Sequence, residues 1–271
     1  MPTKLVVGGT IILILVALAA LAPWIVPYRF DEMSLLQRLK PPSPQHWFGT
    51  DEFGRDVLSR TLIGARFSLL MGIGATLISL VIGVPLGLIA GYRRGWLDEA
   101  LMRFMDVLLS FPPIMLGLLI LAVTQPALWK AIVAIGIVYV PPMVRITRSV
   151  TLDLVNEEFV QAAHVRGDTT RYILFSEILP NAWPPIVVEA SLRVTFAILL
   201  GAALSFVGMG AQPPSSDWGL MVSEARPLVD SAPWIALGPG LAMCITVIGI
   251  NLFGDGMREV LDPRMRTQGE P

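Results

Sequence analysis

Glu189 and Arg193 stand four residues apart inside an otherwise apolar run, IVVEASLRVTFAILLGAALSF. A carboxylate and a guanidinium at that spacing share one face of a helix and pair along it. At membrane depth, ionisable groups also mark polar routes through a bundle. Both readings, structural pair and pathway lining, stay open at this point. Asp255 with Asn251 is a second polar set near the end of another apolar run.

No bond-making chemistry is written into the remaining residues. The lysines are Lys4, Lys40 and Lys130, and none follows a glycine as the phosphate-binding pattern G-x-x-x-x-G-K-[ST] requires. His46 and His164 lie far apart and, by the topology below, on opposite sides of a membrane, so they share neither a metal nor a catalytic dyad. Neither H-E-x-x-H nor G-x-S-x-G occurs. Cys244 is the one cysteine, set in an apolar run, which excludes an internal disulfide.

The elements that would position these groups are membrane helices. Of 271 residues 54% are hydrophobic and 15% charged, against roughly 45–50% and 25% in soluble domains. The expectation is an all-α integral membrane protein embedded in a lipid bilayer. A net charge of -1 with scattered basic residues offers no cationic face for nucleic acid. At about 20 apolar residues per crossing, six spans are expected near 5–26, 67–91, 101–123, 130–149, 186–210 and 234–256. The first is too long for the core of a cleaved signal and is read as a retained helix.

The organisation expected is an N-terminal transmembrane helix (1–26), an extracytoplasmic loop (27–66), a five-helix core (67–256) and a cytoplasmic tail (257–271). Lys4, Arg93, Arg94, Arg145, Arg148, Arg166, Arg171, Arg258, Arg264 and Arg266 favour cytoplasmic termini, against Lys130 and Arg226 in short loops of the opposite face and a long first loop that holds Arg29, Arg38, Lys40, Arg55, Arg60 and Arg66. Pro112-Pro113 and Pro141-Pro142 are expected to kink spans three and four. Gly83, Gly87 and Gly91 form a small-residue face for close helix approach.

Between spans four and five, residues 150–185 are polar enough to leave the lipid. A helix is expected from Leu152 to Val165, with Leu152, Val155, Phe159, Ala162 and Ala163 near one face and Asn156, Glu157 and Glu158 turned away. Gly167 breaks it, Asp168-Thr169-Thr170 cap a second short helix, and that helix runs to Leu179 with Pro180 near its end. The Ala162-Ala163 pair suits a close-packed docking face.

The stretch QAAHVRGDTTRYILFSEILPN resembles the EAA loop of binding-protein-dependent ABC importer permeases: Gln161, Ala162 and Ala163, then Gly167, then Ile178, Leu179 and Pro180. Gln161 stands where that pattern has glutamate, keeping its length and hydrogen-bonding ability. Two more stretches, HWFGTDEFGRDVLSRTLIGARFSL (46–69) and LSFVGMGAQPPSSDWGLMVSEAR (204–226), are similar to the C-type permease of dipeptide, oligopeptide and nickel importers. Without the family, Gly49, Asp51, Gly54, Asp56, Pro213-Pro214 and Asp217 read only as turn and cap residues.

The resemblance implies a type I importer permease with six transmembrane helices in a bacterial inner membrane. It implies a second, B-type permease, one or two cytoplasmic ABC ATPases that bind ATP and magnesium, and an extracytoplasmic solute-binding protein; this chain itself holds no cofactor and is no enzyme. The implied ATPase-coupling residues are Phe159, Gln161, Ala162, Ala163, Gly167, Asp168, Ile178, Leu179 and Pro180. A nickel or glutathione importer would use the same scaffold. A secondary transporter would show two related halves, which the sequence lacks.

Overall fold

The computed structural model describes residues 2–261, and these are helical apart from loops and one isolated bridge between Thr50 and Asp56. The elements are α1 (Thr3–Ile25), α2 (Val57–Arg93), α3 (Gly95–Leu109), α4 (Pro113–Leu121), α5 (Leu128–Val138), α6 (Val140–Leu154), α7 (Glu158–Val165), α8 (Thr170–Tyr172), α9 (Leu179–Phe206), α10 (Trp218–Ala225) and α11 (Trp234–Leu261). Five stretches are long and apolar enough to cross a membrane, and the pair α3 and α4 makes a sixth when counted as one bent span.

Span three departs from a kinked helix. α3 and α4 meet at 91°. Pro112 precedes a proline and is held in extended backbone (φ -55°, ψ 135°), while Pro113 opens α4 in the first turn, where a missing N–H costs no bond. In span four, likewise, Pro141-Pro142 fall in the first turn of α6, so the break sits at Tyr139 instead.

α2 has 37 residues, roughly 55 Å of helix against a hydrocarbon core of about 30 Å. Residues 57–66, expected in the first loop, are helical instead and exceed what the hydrocarbon core needs; the Asp56 carboxylate caps them by accepting from the Ser59 N–H at 2.7 Å. The small-residue face packs against α6. A Cβ added to Gly83, Gly87 or Gly91 would lie 2.8, 2.6 or 2.7 Å from the Cβ of Met143, Thr147 or Thr151, so only glycine lets the two backbones approach this closely.

α9 also begins earlier than expected. Thr170–Phe206 is one continuous helix, and Pro180 does not end it. Proline has no N–H to donate to the Ser176 carbonyl, and its ring crowds that oxygen. The chain widens into a π-helical turn over Ile173–Ile178, with the Leu179 N–H reaching back to the Leu174 carbonyl. At the other end, α11 runs to Leu261, through the start of the expected tail; residues 262–271 lie outside the described residues.

Candidate functional site

Residues 155–178 fold into a knob at the end of α6. α6 stops at Leu154, and Val155, Asn156 and Glu157 turn aside before α7 begins at Glu158. The single helix expected over Leu152–Val165 is thus two. The turn redirects the second piece so that Val160 and Ala163 join Ile173, Leu174 and Ile178 in a buried cluster with Val84 and Leu88 of α2 and Ala182 and Ile186 of α9. Gln161 fixes the bend by donating its amide N–H to the Asn156 carbonyl at 3.0 Å. A glutamate there, ionised, has no proton to donate.

Gly167 takes φ +80°, left-handed backbone that glycine adopts without strain. Its N–H donates to the His164 carbonyl at 3.0 Å and the Asp168 N–H to the Ala163 carbonyl at 3.1 Å, closing α7 with the paired bonds of a glycine cap. Thr169 Oγ1 then accepts from the Tyr172 N–H and opens α8. Arg166 bridges Asp168 (Nε–Oδ2 3.0 Å) and Glu177 (Nη2–Oε1 2.7 Å), and Asp168 holds its guanidinium above the usual range. Tyr92 stacks on His164, with 3.3 Å between Tyr92 Oη and His164 Nε2, tying the knob to the end of α2.

The expected coupling residues divide into two sets. Ala163 and Ile178 are fully buried inside the knob, and Phe159 and Leu179 are half-buried against it. Gln161, Ala162, Gly167 and Pro180 are exposed, with Asp168 partly so. Ala162 and Ala163 therefore do not share a docking face, as adjacent helical positions point about 100° apart. Three residues missed from the sequence complete the outer surface: Val165 is 90% exposed, Tyr172 49% and Phe175 43%. Their signal was the spacing of large apolar side chains, Tyr172 and Phe175 three apart, in a segment with no lipid to meet. Thr169, Arg171, Tyr172, Phe175 and Ser176 line a hollow of about 410 Å³.

Farther along α9, Arg193 Nε donates to Glu189 Oε1 at 2.6 Å. The Arg193 guanidinium also lies over the rings of Tyr139 and Phe196 at 5.6 and 5.5 Å, and Glu189 borders a hollow of about 310 Å³ with Ile146, Pro184, Val188 and Arg258. The pair is made within one helix.

On the opposite side, the two loops that read only as turns and caps are clasped together. Asp51 accepts from Arg55 Nε and Arg60 Nη1, each at 2.6 Å, and Glu224 from Arg60 Nη1 at 3.0 Å and Arg55 Nη2 at 3.3 Å. Both arginines are all but inaccessible to water. Two carboxylates balance two guanidiniums, as burial of charge requires. Trp218 Nε1–H donates to the Thr61 carbonyl at 2.9 Å and Ser68 Oγ–H to Asp217 at 3.2 Å. His46 Nδ1 lies 2.9 Å from Asp56. Burial pushes the Asp217 carboxyl above its usual range, against hydrogen bonds from Ser205, Leu220 and Ser68 that pull it down.

A multi-pass helical bundle that projects a braced knob with exposed Val165, Tyr172 and Phe175 at one end and clasps its loops at the other has the build of a membrane transport component. The chain belongs to the binding-protein-dependent transport system inner membrane components, whose family model matches residues 83–267, and residues 5–42 match the N-terminal TM domain of oligopeptide transport permease C. It is 44% identical to the dipeptide transport system permease protein DppC of Alkalihalophilus pseudofirmus (97% of this chain, 86% of that one). It is 40% identical to the oligopeptide transport system permease protein OppC of Bacillus subtilis (97% and 87%) and 41% to the glutathione transport system permease protein GsiD of Pectobacterium atrosepticum (97% and 87%). Its fold matches a chain of the inward-facing MetNI methionine ABC transporter with TM-score 0.63 at 20% identity, over 75% of this chain and 96% of that one, in keeping with the type I importer architecture expected.

Proposed function

We propose that this chain is the C-type permease subunit of a bacterial importer for di- and oligopeptides, forming half of the translocation pathway. The observation that carries this is the knob's outer face. Val165, Tyr172 and Phe175 are large, apolar and exposed on the same knob as the exposed Ala162, a segment braced from within by Val160, Ala163 and Ile178. Such a patch fits a protein partner, and in this family that partner is the ATPase that binds ATP and magnesium. The chain then needs no cofactor and catalyses no reaction itself. A B-type permease completes the pathway, and an extracytoplasmic solute-binding protein delivers cargo.

The mechanism follows from continuity. Tyr172 and Glu189 lie on the same unbroken helix, Thr170–Phe206, 17 positions or roughly 25 Å apart. Movement of the ATPase against the outer face would be carried along that helix to the Glu189–Arg193 pair and to Tyr139 at the break of span four. Two docked positions of one rigid element give alternating access.

Orientation with both termini in the cytoplasm is part of the proposal. It rests on the Lys and Arg residues near the span ends, Lys4, Arg93, Arg94, Arg145, Arg148, Arg166, Arg171 and Arg258 among them, which lie on the side of the termini.

The test is ATP-dependent uptake of labelled di- and oligopeptides by proteoliposomes holding the chain with the subunits that copurify with it. Uptake that needs ATP and the solute-binding protein is expected; uptake by this chain alone would refute it. The relative named for glutathione transport favours one second reading, and glutathione in competition with peptide decides between them.

A further inference from the structure

Near the outer end of α1 the chain leaves a crevice of about 670 Å³ that the proposed transport function does not use. Pro23, Val26 and Phe30 line it from the end of α1 and the chain after it, and Ile63, Phe67 and Leu70 from α2, together with Arg29 and Arg66. Ile63, Arg66, Phe67 and Leu70 recur at helical spacing and share one face of α2. Arg66 is exposed and, among the described residues, has no hydrogen bond or ion pair. Arg29 is held by Asp31, at 3.2 Å from Nε and 3.3 Å from Nη2, and its guanidinium keeps N–H groups free for a further acceptor.

The depth of the crevice identifies what would fill it. α1 has 23 residues, roughly 35 Å, which brings Ile25 to the membrane–water boundary. Trp24, 79% exposed at that end, is the kind of side chain that sits at headgroup level. Counting inward from Arg93, the hydrocarbon core of about 30 Å takes up roughly 20 residues of α2. Leu70 is then near the lipid boundary and Arg66 one turn beyond it, in the headgroup layer. A crevice lined mostly by apolar side chains at the depth of the lipid boundary, with a guanidinium that has no counter-charge one turn beyond it, matches a molecule with hydrocarbon at one end and a phosphodiester at the other.

We propose that this crevice holds a phospholipid of the leaflet on the side of the 27–56 loop. Its acyl chain lies between Val26 and Phe67, and Arg66 binds the phosphate with Arg29 as a second donor. The lipid fills the gap between α1 and α2 and so seats the first helix against the rest of the bundle. Guanidinium suits the phosphate because its planar fork offers two parallel N–H donors.

The test uses the chain as it comes from its native membrane in mild detergent, with all attached subunits, and native mass spectrometry to count retained phospholipid. Wild type should hold one tightly bound phospholipid. Arg66→Gln should retain roughly fivefold less, the effect of one interfacial cation. Arg66→Lys should keep most of it, and Arg226→Gln, an exposed arginine of the other loop, should match wild type. A photoreactive residue in place of Leu70 should yield an adduct of lipid mass. Equal retention in Arg66→Gln and wild type would overturn the proposal. So would a Leu70 adduct of polypeptide mass, which would show another subunit covering the crevice.

Discussion

Ala162 and Ala163 are neighbours in the chain and face opposite environments: Ala163 is sealed in the cluster of Val160, Ile173 and Ile178, and Ala162 lies on the water-facing surface. Replacing Ala163 with Arg is therefore a change to the interior of the knob. Overpacking with an unpaired buried charge should cost about 3 kcal/mol or more, a large part of a typical stability. The expected outcome is loss of the chain from the membrane fraction and protease cleavage between residues 155 and 178. Wild-type abundance and protease resistance of Ala163→Arg would show that the residue is not interior.

The clasp that ties Asp51, Arg55 and Arg60 to Glu224 should be a major support of the fold. Asp51 accepts from both Arg55 and Arg60 and from the backbone N–H groups of Phe53 and Arg55. Asp51→Ala leaves two buried guanidiniums facing one carboxylate, with an expected loss of about 3–5 kcal/mol. Thermal unfolding in detergent measures it. Asp51→Ala combined with Arg60→Met should recover part of the loss; if the double variant is worse by the sum of both changes, the four charges do not act as a unit.

Asp217 gives a dependence on pH. Its carboxyl, raised by burial above the ordinary 3.8, holds a proton more tightly in the folded chain than in the unfolded one. Its contribution to stability is complete below the unfolded value and is lost as pH rises through the folded one. Asp217→Asn keeps a side-chain oxygen to cap α10 and removes the charge. Wild type should therefore gain melting temperature relative to Asp217→Asn as pH falls from 7 towards 4. A difference between the two that does not vary with pH would contradict the assignment.

Much of the architecture was legible from the residues, because membrane burial and proline and glycine placement act locally. The crossings, the small-residue face of Gly83, Gly87 and Gly91, and the glycine cap at Gly167 all follow from such rules. What escaped depended on partners distant in sequence. Val155–Glu157 carries no glycine or proline, and the chain turns there because Val160 and Ala163 find a core on α2 and α9. Pro180 reads as a stop, yet the π turn before it absorbs the missing hydrogen bond. Arg55 and Arg60 counted only as basic residues of the first loop, since nothing in the spacing of residues 51–60 shows that Glu224 lies beside them.

The central claim is that the outer face of the knob, around Ala162, holds the ATPase. Ala162→Arg adds a long charged side chain on that face while the interior cluster stays intact, and should weaken docking by roughly one to two orders of magnitude. The direct measurement is quantitative copurification of the ATPase with this chain from solubilised membranes, with Asn156→Arg, exposed outside the face, as the control. Normal membrane abundance of Ala162→Arg with loss of most of the ATPase, beside near-normal retention by Asn156→Arg, is the predicted result. Equal ATPase retention by Ala162→Arg and wild type would contradict it.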